Sequence, residues 1–131
     1  MAEMMQFDLV SPERKLASVQ ARAVQIPGTD GDLTAMPQHA PTITTLRPGM
    51  LVVEGASGES RFVVTGGFAE ITPTATAVLA ERAYPMGPDA KAALLPLLEE
   101  ARTKAAAATG DDRDMLAKAA DDLARVIEAI G

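Results

Sequence analysis

The chain has 131 residues, 47% hydrophobic but only 3% aromatic, with a formal net charge of −6 and no cysteine. That is enough for one domain or two small ones built on Val, Ile, Leu, Met and Ala. The acidity, with no Lys/Arg cluster to offset it, argues against nucleic acid as a partner. The missing thiols remove disulfides, thiolate metal sites and a cysteine nucleophile. No apolar run approaches the roughly 20 residues that span a bilayer.

The first ten residues, MAEMMQFDLV, carry no basic region followed by an apolar one, so no secretory signal is expected. A soluble, cytoplasmic protein is predicted, reaching a membrane only through a partner. Met5, Phe7 and Leu9 alternate with Gln6 and Asp8, the two-residue period of a half-buried strand, and Ser11-Pro12 breaks it. A second strand is predicted over 16–26, with Val24 and Ile26 inward and Arg22 and Gln25 as polar contrast. Residues 26–41, IPGTDGDLTAMPQHAP, hold two glycines, three prolines, two aspartates and the only histidine. That density of turn formers predicts exposed, proline-stiffened turns suited to contact, and neither a helix nor a central strand.

Residues 42–46 are rich in β-branched side chains and lead into the turn Arg47-Pro48-Gly49 and a buried strand at 50–53. Gly55-Ala56-Ser57-Gly58 reads as a hairpin loop into 61–65, where Phe62 and Val64 share a face. Gly66-Gly67 interrupts the run, as a bulge or a close backbone approach does. Two more strands are predicted at 68–72 and 74–83, the latter alternating through Ala75, Ala77 and Leu79. Many short strands with Gly/Pro turns predict a sandwich or barrel.

The pattern changes at Tyr84-Pro85-Met86-Gly87-Pro88. The expected organisation is a β domain over 1–84, a linker at 85–88 and a helical hairpin over 89–131. Alanine dominates the last part, as helix propensity favours. Asp89 is the expected N-cap of a helix whose stripe is Leu94, Leu98, Ala101, Ala105 and Ala108. Pro96 is expected to kink that helix or to mark a later start. After Thr109-Gly110, Asp111 or Asp112 is the expected cap of a second helix with the stripe Leu116, Ala120, Leu123, Ile127 and Ile130. Two amphipathic helices on a short turn make an antiparallel pair.

Chemistry is hard to assemble from these residues. His39 stands between Gln38 and Ala40 with no second histidine, which favours a structural or interface role over metal binding. Asp30 and Asp32 are neighbouring loop aspartates, more suited to turns than to acid–base work. Gly28, Gly31, Gly66 and Gly67 spell neither a phosphate loop nor GxGxxG, and no Gly-x-Ser-x-Gly element occurs. Met86 and Met115 read as packing residues. Asp111, Asp112, Asp114, Asp121 and Asp122 lack the twelve-residue calcium-loop pattern and read as a solvated acidic face. No catalytic residue and no metal site are expected.

The runs GTDGDLTAMPQHAP, RPGM, VTGGFAEI and TATAVLAERA, in that order, resemble the ε subunit family of bacterial F-type ATP synthases. The resemblance covers essentially the whole chain. It implies a ten-stranded N-terminal β-sandwich followed by a C-terminal antiparallel two-helix hairpin. It also implies a non-catalytic place in the central stalk, coupling proton-driven rotation to ATP synthesis at the cytoplasmic face of the bacterial inner membrane. The partners implied are the γ subunit and the c-ring, with the catalytic β and α subunits as further candidates through the hairpin. Asp30, Gly31 and Asp32 match the family's ring-facing loop, and Ser11, His39 and Thr44 match its γ-facing side. The alternative reading is an ATP-sensing regulatory module, for which Asp114, Lys118 and Arg125 are the candidate nucleotide-binding residues. ATP-binding members carry I/L-D-x-x-R-A; aligning Asp114 with its aspartate puts Ala117 at the arginine, and sliding by one offers Lys118 but puts Met115 at the aspartate. Neither register is complete, so no nucleotide or other cofactor is expected. From Asp111 onward six acids against three bases leave −3, which opposes docking of the hairpin on an acidic surface.

Overall fold

The structure is a computed structural model and describes residues 3–130. It divides into two compact units, with the break between Pro85 and Met86.

Among the described residues the first unit contains nine strands: β1 (Met5–Val10), β2 (Lys15–Gly28), β3 (Gly31–Ala35), β4 (Thr42–Thr45), β5 (Gly49–Gly55), β6 (Gly58–Val64), β7 (Gly67–Ile71), β8 (Ala75–Ala80) and β9 (Ala83–Pro85). The resemblance implies ten; here Leu46 forms only an isolated bridge with Gly28. The strands hydrogen-bond in the order β4-β7-β8-β1-β2-β5-β6-β9, with β3 added on β2. β2 folds this sheet into a sandwich. Its first half pairs with β1, from Lys15 opposite Val10 to Ala21 opposite Met5. Its last residues pair with β3, from Val24 opposite Ala35 to Gly28 opposite Gly31, and β5 pairs beside it from Ala21 to Gln25. The register shifts between Ala21 and Ala23, so β2 turns a corner there and serves both layers. β1 and β8 are parallel, the one such pairing among the described residues.

The core lies between the layers. Met5, Phe7 and Leu9 from β1 meet Val24 and Ile26 from β2, Leu51 and Val53 from β5, Val64 from β6, Ile71 from β7 and Val78 from β8. Each such side chain contributes about 1.5–3 kcal/mol when fully withdrawn from water. The alternation in β1 and the inward Val24 and Ile26 are as the sequence predicts.

Three expectations for the β unit need correction. The turn-rich stretch contains a strand, β3, because Gly28 and Gly31 close a two-residue turn over Thr29-Asp30 and put residues 31–35 in register with the end of β2. β3 pairs only with β2, so it is an edge strand. The predicted strand over 74–83 is two, β8 and β9, separated at Glu81-Arg82. In β8 the buried row is Thr76, Val78 and Ala80, while Leu79 is exposed; apolar residues fill both rows, and the sheet's position decides which faces the core.

The second unit holds α1 (Pro88–Ala107) and α2 (Gly110–Ile130), packed against each other. They are antiparallel: Ile130, at the end of α2, shares a hollow with Pro88, Lys91, Ala92 and Leu95 at the start of α1. Asp89 does not cap α1. Gly87, which has no side chain to cap with, occupies the cap position, and Pro88 follows with its φ already set for a helix and no N–H to satisfy. Asp89 lies in the first turn, where its charge favours the helix dipole. α1 begins before Pro96 and runs through it. Asp111 and Asp112 likewise lie in the first turn of α2, which opens at Gly110 (φ 63°). The predicted stripes are buried only in part: Leu94 and Leu98 on α1 and Ala120, Leu123 and Ile127 on α2 are buried, Ala101, Ala105, Leu116 and Ile130 are half-buried, and Ala108 lies just past the end of α1. Among the described residues no helix is long and apolar enough to cross a membrane.

Candidate interaction surface

The tip of the β2–β3 hairpin is braced from outside. Gly31, at φ 134°, supplies the backbone angle that closes the Thr29-Asp30 turn. Arg47 then reaches across the base. Its backbone N–H donates to the Pro27 carbonyl (3.0 Å), Nη1 donates to the Gly28 carbonyl (2.9 Å), and Nη2 pairs with Asp32 Oδ1. Thr29 donates its N–H to the Thr45 carbonyl (3.0 Å), and the two hydroxyls meet at 2.6 Å. Gly49 packs on Pro27 so closely that a Cβ would stand 2.6 Å from the proline Cβ. Of the predicted ring-facing residues, Asp30 and Gly31 form the exposed tip. Asp32 is also exposed but already holds an internal partner.

The outer face of the layer formed by β4, β7, β8, β1 and the first half of β2 is apolar at one end and polar at the other. Phe68 and Leu79 are opposite one another across β7 and β8, and are 41% and 42% exposed. Leu79 is in turn opposite Val10 of β1, and Ile43 of β4, 71% exposed, lies on the same face. Val10, Pro12, Gly67, Phe68 and Leu79 line an open hollow of about 350 Å³. Toward β2 the face becomes a polar ladder: Gln20 Nε2 donates to Gln6 Oε1 (2.8 Å), Gln6 Nε2 donates to Ser18 Oγ (3.0 Å), and Lys15 lies 3.9 Å from Asp8. The sequence reading missed this apolar band. Its signal is present, since β7 and β8 carry apolar residues in both rows where a half-exposed strand normally alternates.

The three predicted γ-facing residues are spread along this layer and do not cluster. Ser11 sits in the β1–β2 turn, exchanging backbone hydrogen bonds with Arg14 (2.9 and 3.2 Å), and borders the apolar hollow. His39 lies in the β3–β4 loop at the opposite end, where Gln38 (φ 71°) donates its N–H to the Pro73 carbonyl (2.8 Å). Its Nδ1 is 2.7 Å from the Ala40 carbonyl, a contact that calls for the Nδ1–H tautomer because a carbonyl only accepts. Thr44 shares the inward row of β4, opposite buried Ala69, while Ile43 and Thr45 face outward.

On α2, Asp114, Lys118 and Arg125 follow the spacing of one helical face and are all exposed. Lys118 is engaged by Asp122, a largely buried carboxylate 3.2 Å away. No cluster of His, Asp or Glu suited to a metal ion occurs among the described residues.

Against known proteins, residues 4–86 match the family model described as ATP synthase, Delta/Epsilon chain, beta-sandwich domain. The ATP synthase epsilon chain of Ruegeria sp. (strain TM1040) is 57% identical over 133 residues, an alignment covering 100% of this chain and 96% of that one. This chain belongs to the ATP synthase ε chain family. The ε chain of Fuscovulum blasticum is 56% identical over 131 residues, covering 100% of this chain and 99% of its own. The family model stops at Met86, one residue past the end of the β unit, so membership of the helical pair rests on these whole-length relatives. Among solved structures, a chain of the Euglena gracilis mitochondrial ATP synthase, OSCP/F1/c-ring, is similar at a TM-score of 0.73 and 24% identity, covering 96% of this chain and 80% of that one. A chain of the Tetrahymena thermophila mitochondrial ATP synthase central stalk and c-ring is similar at 0.64 and 15%, covering 98% of each. At those identities the ε family shares this fold with them.

Proposed function

We propose that the chain is a non-catalytic rotor subunit of ATP synthase, transmitting torque between the c-ring and the γ shaft at the cytoplasmic face of the bacterial inner membrane. The observation that carries this reading is that one stiff β unit offers two different contact surfaces. The braced hairpin tip presents short polar groups, and the outer face presents an apolar band. A transmission element needs such a pair of grips joined by a body that does not shear. The assemblies holding its structural neighbours, a central stalk with a c-ring among them, support the same assignment. The apolar band suits a large, permanent partner such as γ. The tip suits attachment to the polar loops of a ring through a few hydrogen bonds or ion pairs. Co-purification with γ, lost on replacing Phe68 by Asp, is the expected result. Retention of γ by that variant overturns the assignment of the band.

The helical unit is read as holding no nucleotide and restraining hydrolysis weakly. Lys118 is paired within its own helix, and α2 carries net negative charge. Isothermal titration with ATP is expected to give no heat of binding; a saturable isotherm lost with Arg125→Ala favours the ATP-sensing alternative.

A further inference from the structure

Asp30 and Asp32 are two residues apart and both exposed, yet they are chemically unequal. Asp32 is the counter-charge of Arg47, whose guanidinium also binds the Gly28 carbonyl. Gly28 ends β2 and Asp32 is the second residue of β3, so one planar fork holds both strands of the hairpin. A guanidinium sets the direction of each bond it donates, so the two together fix the strands' separation and twist, which an ammonium does not. Asp30 has no ion pair or hydrogen bond among the described residues.

We propose that Arg47 is a positioning residue that straps the hairpin into a stiff strut. It engages Asp32, which stays exposed, as its own counter-ion and leaves Asp30 as the unengaged carboxylate presented to the ring. The strap stands on this chain's geometry alone; the role of Asp30 rests on the ring-facing reading above. Donors on the partner, amide or basic, are the chemistry Asp30 recognises. Stiffness has a mechanical consequence. A compliant tip stores rotation as bending, whereas a strapped one passes it to the sheet behind.

The test for Arg47 uses the full-length chain and amide hydrogen exchange read residue by residue. Arg47→Ala is expected to speed exchange across residues 29–33 by about three- to tenfold, with the amides of Leu9 and Val78 unchanged. Asp32→Ala speeds it less, and the double variant no more than Arg47→Ala alone, because both remove the same brace. Arg47→Lys keeps the charge but not the fork and falls between parent and Arg47→Ala. It also serves if Arg47→Ala fails to fold. Unchanged hairpin exchange in either variant, or additive effects, overturns the strap.

The test for Asp30 uses the assembled rotor. Asp30→Asn is expected to weaken attachment to the c-ring at least about fivefold without altering hairpin exchange. Equal attachment by Asp30→Asn overturns its role. An Asp30→Cys variant that forms no cross-link to the ring overturns the ring-facing reading itself, and leaves the exchange result to judge Arg47 independently.

Discussion

Gly67 and Leu79 approach so closely across the β7–β8 pair that a Cβ on Gly67 would lie 2.0 Å from the Leu79 carbonyl oxygen. The neighbouring Ala80 Cα would be 2.9 Å away, and both obstacles are backbone, which does not swing aside. Gly67 also sits at φ 109°, which side chains rarely adopt. Gly67→Ala is therefore expected to cost about 3–5 kcal/mol, lowering Tm by at least about 15 °C in a thermal melt of the isolated chain. By contrast, Gly31→Ala meets nothing within 4 Å and carries only the strain of its φ. It is expected to cost about 1–2 kcal/mol.

The apolar band gives a prediction on association alone. Phe68 and Leu79 are more than a third exposed and contribute little to the core, so Phe68→Asp and Leu79→Asp each change stability by no more than about 1 kcal/mol. Each is expected to lower affinity for γ at least tenfold, roughly 1.4 kcal/mol, because a carboxylate would be desolvated in the interface. A pull-down with immobilised γ beside a melting curve checks both halves. Gln6→Ala, on the polar ladder of the same face, is the control expected to bind like the parent.

The sequence shows the fold where one row of a strand is apolar and the other polar, as in β1, where Met5, Phe7 and Leu9 are the buried row. It misleads in β8, where Ala75, Ala77 and Leu79 look as good an inner row as Thr76, Val78 and Ala80. Only packing on the opposite layer separates them. It misses β3 because Gly28, Asp30 and Gly31 register as turn formers, and the strand exists only through its pairing with Val24–Gly28 of β2. The site follows the same rule. GTDGD marks a tip, but nothing local tells Asp30 from Asp32. The difference is made by Arg47, fifteen residues later and adjacent only after folding. The exposed band was legible only as a broken rule, apolar residues in both rows of two neighbouring strands.

Thr76 offers a check on the core. It is fully buried, and its hydroxyl donates to the thioether of Met5 at 3.4 Å. Sulfur is a weak acceptor, so this bond offsets only part of the cost of dehydrating the hydroxyl. Thr76→Val keeps the shape and removes both terms. The expected change in stability is within about 1 kcal/mol in either direction, by urea denaturation. Thr76→Ala instead leaves a cavity beside Phe7, its neighbour in register on β1, and is expected to cost about 1–3 kcal/mol.

The helical unit gives the prediction that reaches furthest into function. The main core cluster of the β unit is built entirely from residues 5–83, so a chain lacking residues 89–131 keeps it and is expected to fold, with the dispersion of its Leu9 and Val78 amide signals retained. What the deletion does to catalysis depends on whether α1 and α2 hold the catalytic head. α2 has Asp111, Asp112, Asp114, Asp121, Asp122 and Glu128 against Arg113, Lys118 and Arg125, and one of those bases, Lys118, is neutralised by Asp122. An element with that balance is repelled by an acidic surface and gains little from it even at low salt. ATP hydrolysis by the complex assembled with the truncated chain is accordingly expected to stay within about twofold of the parent. A rise of several-fold means that the hairpin restrains the head by contacts other than charge. In that case the buried stripe of Leu123, Val126 and Ile127 must open to make them, and Leu123→Ala would shift the same balance.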